Sequence, residues 1–201
     1  TGVAFDSIGR FAQSGILRDR MIPRVLAAAP EALLEGSGRI DPAAVLACAL
    51  RGEKPGGHGD RAAAAAALEL ACWDLNAKLG DEPACVTIAR QHGREPEDAV
   101  QVYAAGGYYH RGGDRDRLRA EVRGYLDAGY DAVKMKIGGA ALHVDLDRVE
   151  AVVGVVVDAG RVAVDANGRF DRQAATRWAA ALAPYGLRWY EEPGDPLDFE
   201  L

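Results

Sequence analysis

The pattern of apolar and polar residues divides the chain into two regions. In residues 1–96, apolar side chains such as Leu17 and Met21 recur at helical spacing, and stretches rich in glycine and proline separate the predicted helices. In residues 97–201, short apolar runs alternate with longer amphipathic segments, and the runs recur about every 30 residues, the length of one β/α unit. The pattern therefore predicts a mostly helical region followed by four β/α units.

Capping residues and glycines give approximate bounds for the predicted elements. Asp41 and Asp60 are the expected N-caps of two helices in the first region. We predict helices at residues 42–50, 62–79, 84–91, 114–128, 142–157 and 171–182, and strands at residues 100–105, 132–137, 162–165 and 187–191. Alternation of strands and helices implies a parallel sheet with right-handed crossovers.

Both a doubly wound sheet and a (β/α) barrel show this alternation, and two features favour the barrel. The strand at residues 162–165 is apolar on one face and carries Asp165 on the other, whereas a doubly wound sheet is apolar on both faces. In addition, no glycine-rich phosphate-binding motif follows any predicted strand. We therefore predict an α/β fold of barrel type. Four units cannot close an eight-stranded barrel, so we expect the remainder in a longer chain.

Two lysines lie one residue apart in the strand predicted at residues 132–137. Side chains alternate along a strand, so Lys134 and Lys136 share one face. Two buried ammonium groups are costly unless they have anionic partners or a chemical task. Asp165 and Glu191 end the next two strands, and the carboxyl ends of barrel strands form one pole. We therefore expect these four side chains to meet at that pole.

These residue types predict abstraction of a proton next to a carboxylate. Asp165 and Glu191 offer hard oxygen ligands that suit magnesium, and at least one further carboxylate is expected beyond residue 201. Lys136 is the predicted general base, because the neighbouring ammonium of Lys134 disfavours its charged form. Lys134 would stay charged and, with the metal, stabilise the enediolate. The alternative explanation of the lysine pair is an amphipathic strand with one face in water.

The Lys-x-Lys strand, the Asp-Ala-Asn strand end and the Glu-Glu-Pro strand end resemble the enolase superfamily in order and spacing. They are most similar to its mandelate racemase and muconate-lactonising branch. The resemblance implies Lys136 as the base, Lys134 as its electrostatic partner, and Asp165 and Glu191 as magnesium ligands. It also implies that residues 1–96 are part of an α+β capping domain, followed by the first half of the catalytic barrel.

Four further stretches resemble the D-tartrate dehydratase group of acid-sugar dehydratases. They are Ser7–Gln13, Glu53–Gly59, Ala104–Tyr109 and Trp189–Glu192. This narrower resemblance implies that capping-domain loops close over a small dicarboxylate, with Lys54 on its far carboxylate. Asn167, just past its strand, is the second candidate for substrate binding.

The implied activity is magnesium-dependent dehydration of a tartrate-like hydroxy-diacid or acid sugar to a 2-keto acid. A histidine on a later strand is the expected acid. One alternative is a racemase or epimerase that uses the same half-reaction. A second alternative is a non-catalytic relative that serves as a binding module.

Composition restricts the possible partners. The net charge of -6 argues against a nucleic-acid-binding surface, and no apolar stretch approaches the roughly 18 residues that a membrane-spanning helix needs. The three cysteines fit neither a disulfide framework nor a metal-binding spacing, so we expect free thiols and a cytoplasmic protein. A small hydroxy-carboxylate is the expected ligand, and a homo-oligomer the expected assembly.

Overall fold

The computed structural model describes residues 1–5, 12–54 and 59–200. The chain divides into two compact units, residues 1–98 and residues 99–201. Within the described residues, no helix combines the length and the apolarity that a bilayer crossing requires. The three cysteines, all in the first unit, are free thiols.

The first unit is built from helices. In its described residues these are α1 (Gln13–Ile16), α2 (Ile22–Leu26), α3 (Pro42–Ala49), α4 (Asp60–Leu79) and α5 (Ala84–Gln91). A π-helical turn, Leu17–Met21, joins α1 and α2. Helix α3 begins as predicted, because Asp41 Oδ1 accepts a hydrogen bond from the Ala44 amide at 3.0 Å. The prediction that Asp60 is an N-cap is wrong. Asp60 is the first helical residue of α4, and its N-cap is Gly59, which has φ +94°.

The core of the first unit forms where α3 and α4 meet the π-helical turn. Met21, Ala49, Ala64 and Ala65 are buried there, and larger apolar side chains pack around them. The run of alanines in α4 keeps this helix thin, so its backbone can approach its neighbours closely. The core of this unit therefore depends on close helix packing between small side chains.

The second unit contains a four-stranded parallel sheet in the order β1–β2–β3–β4. The strands are β1 (Ala104–Gly106), β2 (Val133–Lys136), β3 (Val162–Asp165) and β4 (Tyr190–Glu191). The helices between them are α6 (Asp114–Asp127), α7 (Leu142–Val156) and α8 (Arg172–Leu182). Each strand pairs with the next one in the chain, so right-handed crossovers place the three helices on one face. A doubly wound sheet would reverse its strand order, and the order observed is that of a barrel wall.

Three strands are shorter than predicted, and β2 lacks one residue at each end of its predicted range. Strand β1 begins at Ala104, because Ala104 pairs with Val133, the first residue of β2. Val100 and Val102 precede the first residue of β1 that pairs with β2, and their side chains are exposed. Strand β4 is also shorter than predicted, although Arg188, two residues before it, still donates its amide hydrogen to the Val162 carbonyl oxygen at 2.8 Å.

The sheet is apolar on the face that the helices cover. Val133, Met135 and Ile137 of β2 and its continuation are at most 2% exposed. They pack against buried residues of all three helices: Leu118, Val122, Val149, Val152, Trp178 and Leu182. Each fully buried side chain of this size contributes about 1.5–3 kcal/mol relative to an exposed one. The helix-facing side of the sheet is thus the core of the second unit, and the charged residues occupy the other side.

Gly107, directly after β1, is required by the close packing at this strand end. It has φ +64°, and a Cβ atom added there would lie 2.6 Å from the Cβ atom of Met135. We expect Gly107→Ala to lower the free energy of unfolding by about 2–4 kcal/mol, because strain at positive φ and overpacking both contribute. Urea unfolding followed by circular dichroism measures the change.

The matched control is Gly124→Ala in α6, where an added Cβ atom would meet open space. This variant should be more stable by about 0.5–1 kcal/mol, because glycine is a poor helix former. Equal unfolding midpoints for the two variants would contradict the packing described for Gly107.

Candidate active site

The register of the sheet aligns the charged residues at the carboxyl ends of three strands. Lys136 of β2 lies opposite Asp165 of β3, and Asp165 lies opposite Glu191 of β4. Lys134 lies two residues before Lys136 and therefore shares its face. The apolar residues that alternate with the lysines along β2 point to the helices. All four charged side chains therefore lie on the side of the sheet that the helices do not cover.

The four side chains form one continuous ion-pair cluster. Lys136 Nζ donates a hydrogen bond to Asp165 Oδ2 at 2.6 Å. Lys134 Nζ lies 3.1 Å from the same oxygen and 2.6 Å from Glu191 Oε1. The Asp165 side chain is 2% exposed, and those of Lys134 and Lys136 are 11% and 17% exposed. The structure therefore brings together the residues that the sequence predicts as base, electrostatic partner and metal ligands.

Fixed donors orient both carboxylates. The backbone N–H of Asn167 donates to Asp165 Oδ1 at 2.9 Å, and the indole N–H of Trp189 donates to Glu191 Oε2 at 2.8 Å. Each carboxylate thus has one oxygen on a fixed donor and the other on a lysine. No sequence pattern assigns Trp189 this hydrogen bond, although its position two residues before Glu191 places both on one strand face.

Charge pairing outweighs burial in setting the pKa of Asp165 and that of Lys134. Burial alone would raise the pKa of Asp165, but hydrogen bonds from Lys136, the Asn167 amide and Lys134 hold that pKa below its usual range. Burial alone would lower the pKa of Lys134, but its hydrogen bonds to Glu191 and Asp165 raise that pKa instead. Asp165 is therefore an anion and Lys134 a cation at neutral pH.

Two tyrosines flank the lysines. The ring centroid of Tyr103 lies 5.7 Å from Lys134 Nζ, and that of Tyr108 lies 5.7 Å from Lys136 Nζ. Tyr103 also packs edge-to-face on Trp189 at 5.2 Å between centroids. Such contacts stabilise a cation by about 0.5–1 kcal/mol at exposed sites. Both tyrosines lie beside β1, and no sequence pattern predicts their contacts with the lysines.

In sequence, the second unit matches a known protein family, and much of the chain is similar to characterised enzymes. Residues 117–200 match the family described as enolase C-terminal domain-like. The chain is 29% identical over 138 residues to arabinonate dehydratase from Saccharolobus solfataricus. This alignment covers 69% of this chain and 36% of the relative. It is 36% identical over 143 residues to 3,6-anhydro-alpha-L-galactonate cycloisomerase from Streptomyces coelicolor. This alignment covers 71% of this chain and 37% of the relative. The aligned region thus spans little more than a third of these relatives.

Structural similarity extends over nearly the whole chain. A racemase from Streptomyces coelicolor A3(2), solved with bound magnesium, superposes with a TM-score of 0.74 at 27% identity, over 98% of this chain and 55% of the racemase. The chain belongs to the enolase superfamily. The predicted fold class and the predicted superfamily are therefore confirmed. These relatives catalyse different reactions, so membership of the enolase superfamily alone does not fix the reaction of this chain.

The donor set of this enolase-superfamily chain fits a hard divalent cation in part. Asp165 and Glu191 both approach one cationic atom, Lys134 Nζ, so carboxylates from two strands already converge on a shared positive charge. Oxygen donors of this type suit magnesium. Among the described residues, however, no group of three or more His, Cys, Asp or Glu side chains could hold a metal. Around a cation held by Asp165 and Glu191, water, substrate or residues outside those described would fill the remaining positions.

Asn167 lies at the same strand end, in a turn with positive φ. Its φ is +49°, and its side-chain Nδ2 donates to Glu192 Oε2 at 3.3 Å. Its backbone contributes to the site through the hydrogen bond to Asp165. The exposed amide of Asn167 is directed to Glu192. Its assignment to substrate binding stays a prediction.

Lys54, the other predicted substrate-binding residue, lies in the first unit. The motif Ser7–Gln13 lies largely outside the described residues, as do residues 55–58 of the loop that follows Lys54. The carbonyl oxygen of Lys54 accepts a hydrogen bond from Arg61 of α4. The backbone of Lys54 is therefore held by a side chain from the helix beyond the loop, and its contact with a substrate stays a prediction.

Glu53 is the centre of an arginine cluster beside Lys54. Its side chain is 7% exposed and contacts Arg20, Arg24 at 2.7 Å and Arg61 at 4.0 Å. The hydrogen bond from Arg24 contributes most to lowering the pKa of Glu53 below its usual range. Through its negative charge, Glu53 therefore links the start of this loop to α4, to α2 and to the π-helical turn before α2.

Replacing Glu53 with glutamine tests whether this cluster positions Lys54. The glutamine keeps the shape but loses the charge that holds three arginines, so we expect KM for the substrate to rise by about 3–10-fold while kcat changes less. Steady-state kinetics of the full-length protein measures both constants. Asp19→Asn is the control, because Asp19 pairs only with the exposed Arg18 in the described contacts. An unchanged KM in Glu53→Gln would contradict a positioning role.

Proposed function

We propose that this chain carries the proton-abstracting part of a magnesium-dependent dehydratase that acts on a hydroxy-diacid or an acid sugar, such as a tartrate-like compound. The observation that carries the proposal is the cluster in which Lys136 contacts Asp165 while Lys134 bridges Asp165 and Glu191. A pair of amines beside a pair of carboxylates at one barrel pole suits chemistry next to a substrate carboxylate. The similarity to arabinonate dehydratase supports dehydration as the reaction.

In this proposal Asp165 and Glu191 would hold the magnesium ion, which supplies Lewis-acid stabilisation of the substrate carboxylate. The racemase similar to this chain was solved with bound magnesium, which supports the choice of metal. Lys136 takes the proton from the carbon next to that carboxylate at its Nζ atom. Lys134 remains charged and offsets the negative charge that develops on the enediolate oxygens.

Loss of the β-hydroxyl completes the dehydration. The electron pair of the enediolate forms a carbon–carbon double bond as the hydroxyl leaves, and an acid donates a proton so that water is released. The enol then tautomerises to a 2-keto acid. The acid, expected to be a histidine, and the remaining metal ligand are proposed to lie on barrel strands beyond residue 201.

The domain assignment belongs to the same proposal. Residues 1–96 would form part of a capping domain whose Lys54 binds the far carboxylate of the substrate, with Asn167 as a second contact. Residues 97–201 would form the first four β/α units of the catalytic barrel. A homo-oligomer in the cytoplasm is the proposed setting.

The second candidate function is a racemase or epimerase, which the similarity to the Streptomyces coelicolor racemase favours. It would share the abstraction by Lys136 and return a proton to the opposite face. A non-catalytic binding module is the third candidate. The presence of both lysines and both carboxylates in one ion-paired cluster argues against it.

A panel of hydroxy-diacids and acid sugars separates the three candidates. Each acid is incubated with the full-length protein and magnesium, and 2-keto acids are detected with semicarbazide while chiral chromatography follows the substrate. We expect a keto acid from at least one diacid. Inverted substrate without a keto acid would identify a racemase, and no product with no magnesium effect on the melting temperature would identify a binding module.

A further inference from the structure

Arg148 on α7 is a buried charge outside the cluster of lysines and carboxylates. Its side chain is 1% exposed. Its Nε donates to Asp114 Oδ2 at 2.7 Å, and Nη1 donates to Asp145 Oδ1 at 3.2 Å. Fully buried ion pairs are a poor source of stability, because removing charges from water offsets their attraction. The remaining contacts of Arg148 indicate a more specific task.

The guanidinium group contacts the backbone of Lys136 and that of Gly107 at the end of the neighbouring strand. Nη1 donates to the Lys136 carbonyl oxygen at 2.8 Å, and Nη2 donates to the Gly107 carbonyl oxygen at 2.7 Å. The same Gly107 oxygen accepts the Lys136 N–H at 3.3 Å. Both backbone polar groups of Lys136 therefore belong to one hydrogen-bonded ring that Arg148 closes.

The turn after β2 is attached to the same guanidinium group. Arg148 Cζ lies 3.9 Å from the ring centroid of Tyr109, whose hydroxyl donates to Asp145 at 2.8 Å. The amide of Gly138 donates to Asp145 Oδ2 at 2.8 Å, and the amide of Gly139 donates to the Tyr109 hydroxyl oxygen at 2.8 Å. The chain immediately beyond Lys136 is therefore also fixed to this cluster.

We propose that Arg148 is a positioning residue for Lys136. It holds the backbone from which the Lys136 side chain projects, and so sets the distance from the amine to the substrate carbon. The catalytic part of this inference rests on the proposed function, whereas the backbone part does not. Arginine suits the task because its planar fork of five donors can serve several fixed acceptors at once, while lysine has a single nitrogen.

Arg148→Met and Arg148→Lys in the full-length protein test the inference. We expect amide hydrogen exchange in residues 133–139 to accelerate by at least about tenfold, with less than about twofold change in α8. We expect kcat to fall by about 10²-fold with KM changed less than threefold, because a displacement near 1 Å has effects of this size. Arg148→Lys should fold even if Arg148→Met does not, and should recover less than a tenth of the lost kcat.

Val152→Ala is the matched control. Val152 lies on the same helix, is fully buried, and has only an apolar side chain to lose. We expect exchange to rise across the second unit in this variant, without a preference for residues 133–139, and kcat to stay within threefold of wild type. Unchanged protection of residues 133–139 in both Arg148 variants would overturn the inference. So would a kcat loss in Val152→Ala equal to that in Arg148→Lys.

The two proposals fail in different ways. If the wild-type protein turns over no acid of the panel, the proposed function fails, and the exchange experiment still tests the positioning of the Lys136 backbone. If turnover is present and the exchange of residues 133–139 is insensitive to Arg148, the positioning role alone fails.

Discussion

Lys136→Met should lower kcat by at least about 10³-fold, because the variant loses the amine that takes the proton. Methionine has a similar length and can occupy the same space beside β3. Asp165 keeps a cationic partner, because Lys134 Nζ lies 3.1 Å from its Oδ2 atom. The fold and the effect of magnesium on the melting temperature should therefore persist. Steady-state turnover of the best acid from the panel, together with thermal unfolding, measures both properties.

Lys78→Met is the control for this prediction. Lys78 is an exposed lysine of the first unit that pairs with Asp74 within α4, and its loss should change kcat by less than twofold. If Lys136→Met retained more than a tenth of wild-type turnover, Lys136 could not be the base.

Asp165→Asn should abolish the magnesium response and destabilise the fold. Asp165 accepts hydrogen bonds from both lysines and from the Asn167 amide, and a neutral side chain leaves the two partly buried ammonium groups with less compensation. Breaking a buried ion pair costs about 3–5 kcal/mol. Glu191→Gln should also remove the magnesium response but destabilise less, because Glu191 is 31% exposed. Thermal unfolding with magnesium or with a chelator measures both effects.

Glu192→Gln is the matched control for the metal prediction. Glu192 is adjacent to Glu191 but lies past the strand, with φ +43°, and contacts Asn167 instead of the lysines. Its substitution should leave the magnesium-induced rise in melting temperature unchanged. A magnesium response that survives in both Asp165→Asn and Glu191→Gln would show that these carboxylates are not the metal ligands.

The effect of Asp165→Asn should depend on pH. The pKa of Asp165 is lowered in the folded chain, so its ionised form contributes stability that is present above its unfolded pKa, about 3.9. That contribution is lost as the pH falls through the lower pKa of the folded state. The difference in unfolding free energy between wild type and Asp165→Asn should therefore be larger at pH 7 than at pH 3.

The sequence predicts the centre of the second unit well because strand alternation and burial act on the same residues. The apolar residues Val133 and Met135 must face the helices, so Lys134 and Lys136 must face the other way. Strand β3 is found at its predicted bounds, since Val162 and Val164 are buried and Asp165 ends the run. The meeting of the four charged side chains follows from these constraints and from parallel pairing.

Other features depend on contacts that a local pattern does not contain. The start of β1 depends on where β2 begins, so the apolar residues Val100 and Val102 alone gave a strand that was too early. Arg148 reads as an ordinary charged residue of an amphipathic helix, although it reaches the backbone beside Lys136. Such contacts join residues distant in sequence, and only the folded chain shows them. The contact of Lys54 with a substrate stays a prediction.

The central claim is that Lys136 removes the α-proton of the substrate in a site completed by Asp165, Glu191 and magnesium. Following the loss of this proton from a hydroxy-acid in heavy water tests the claim most directly. Proton NMR follows the substrate signal with the full-length protein. The signal should disappear with wild-type protein and magnesium, and should persist in Lys136→Met and in the presence of a chelator. Equal loss of the signal in wild type and Lys136→Met, or a loss that a chelator does not affect, would contradict the account.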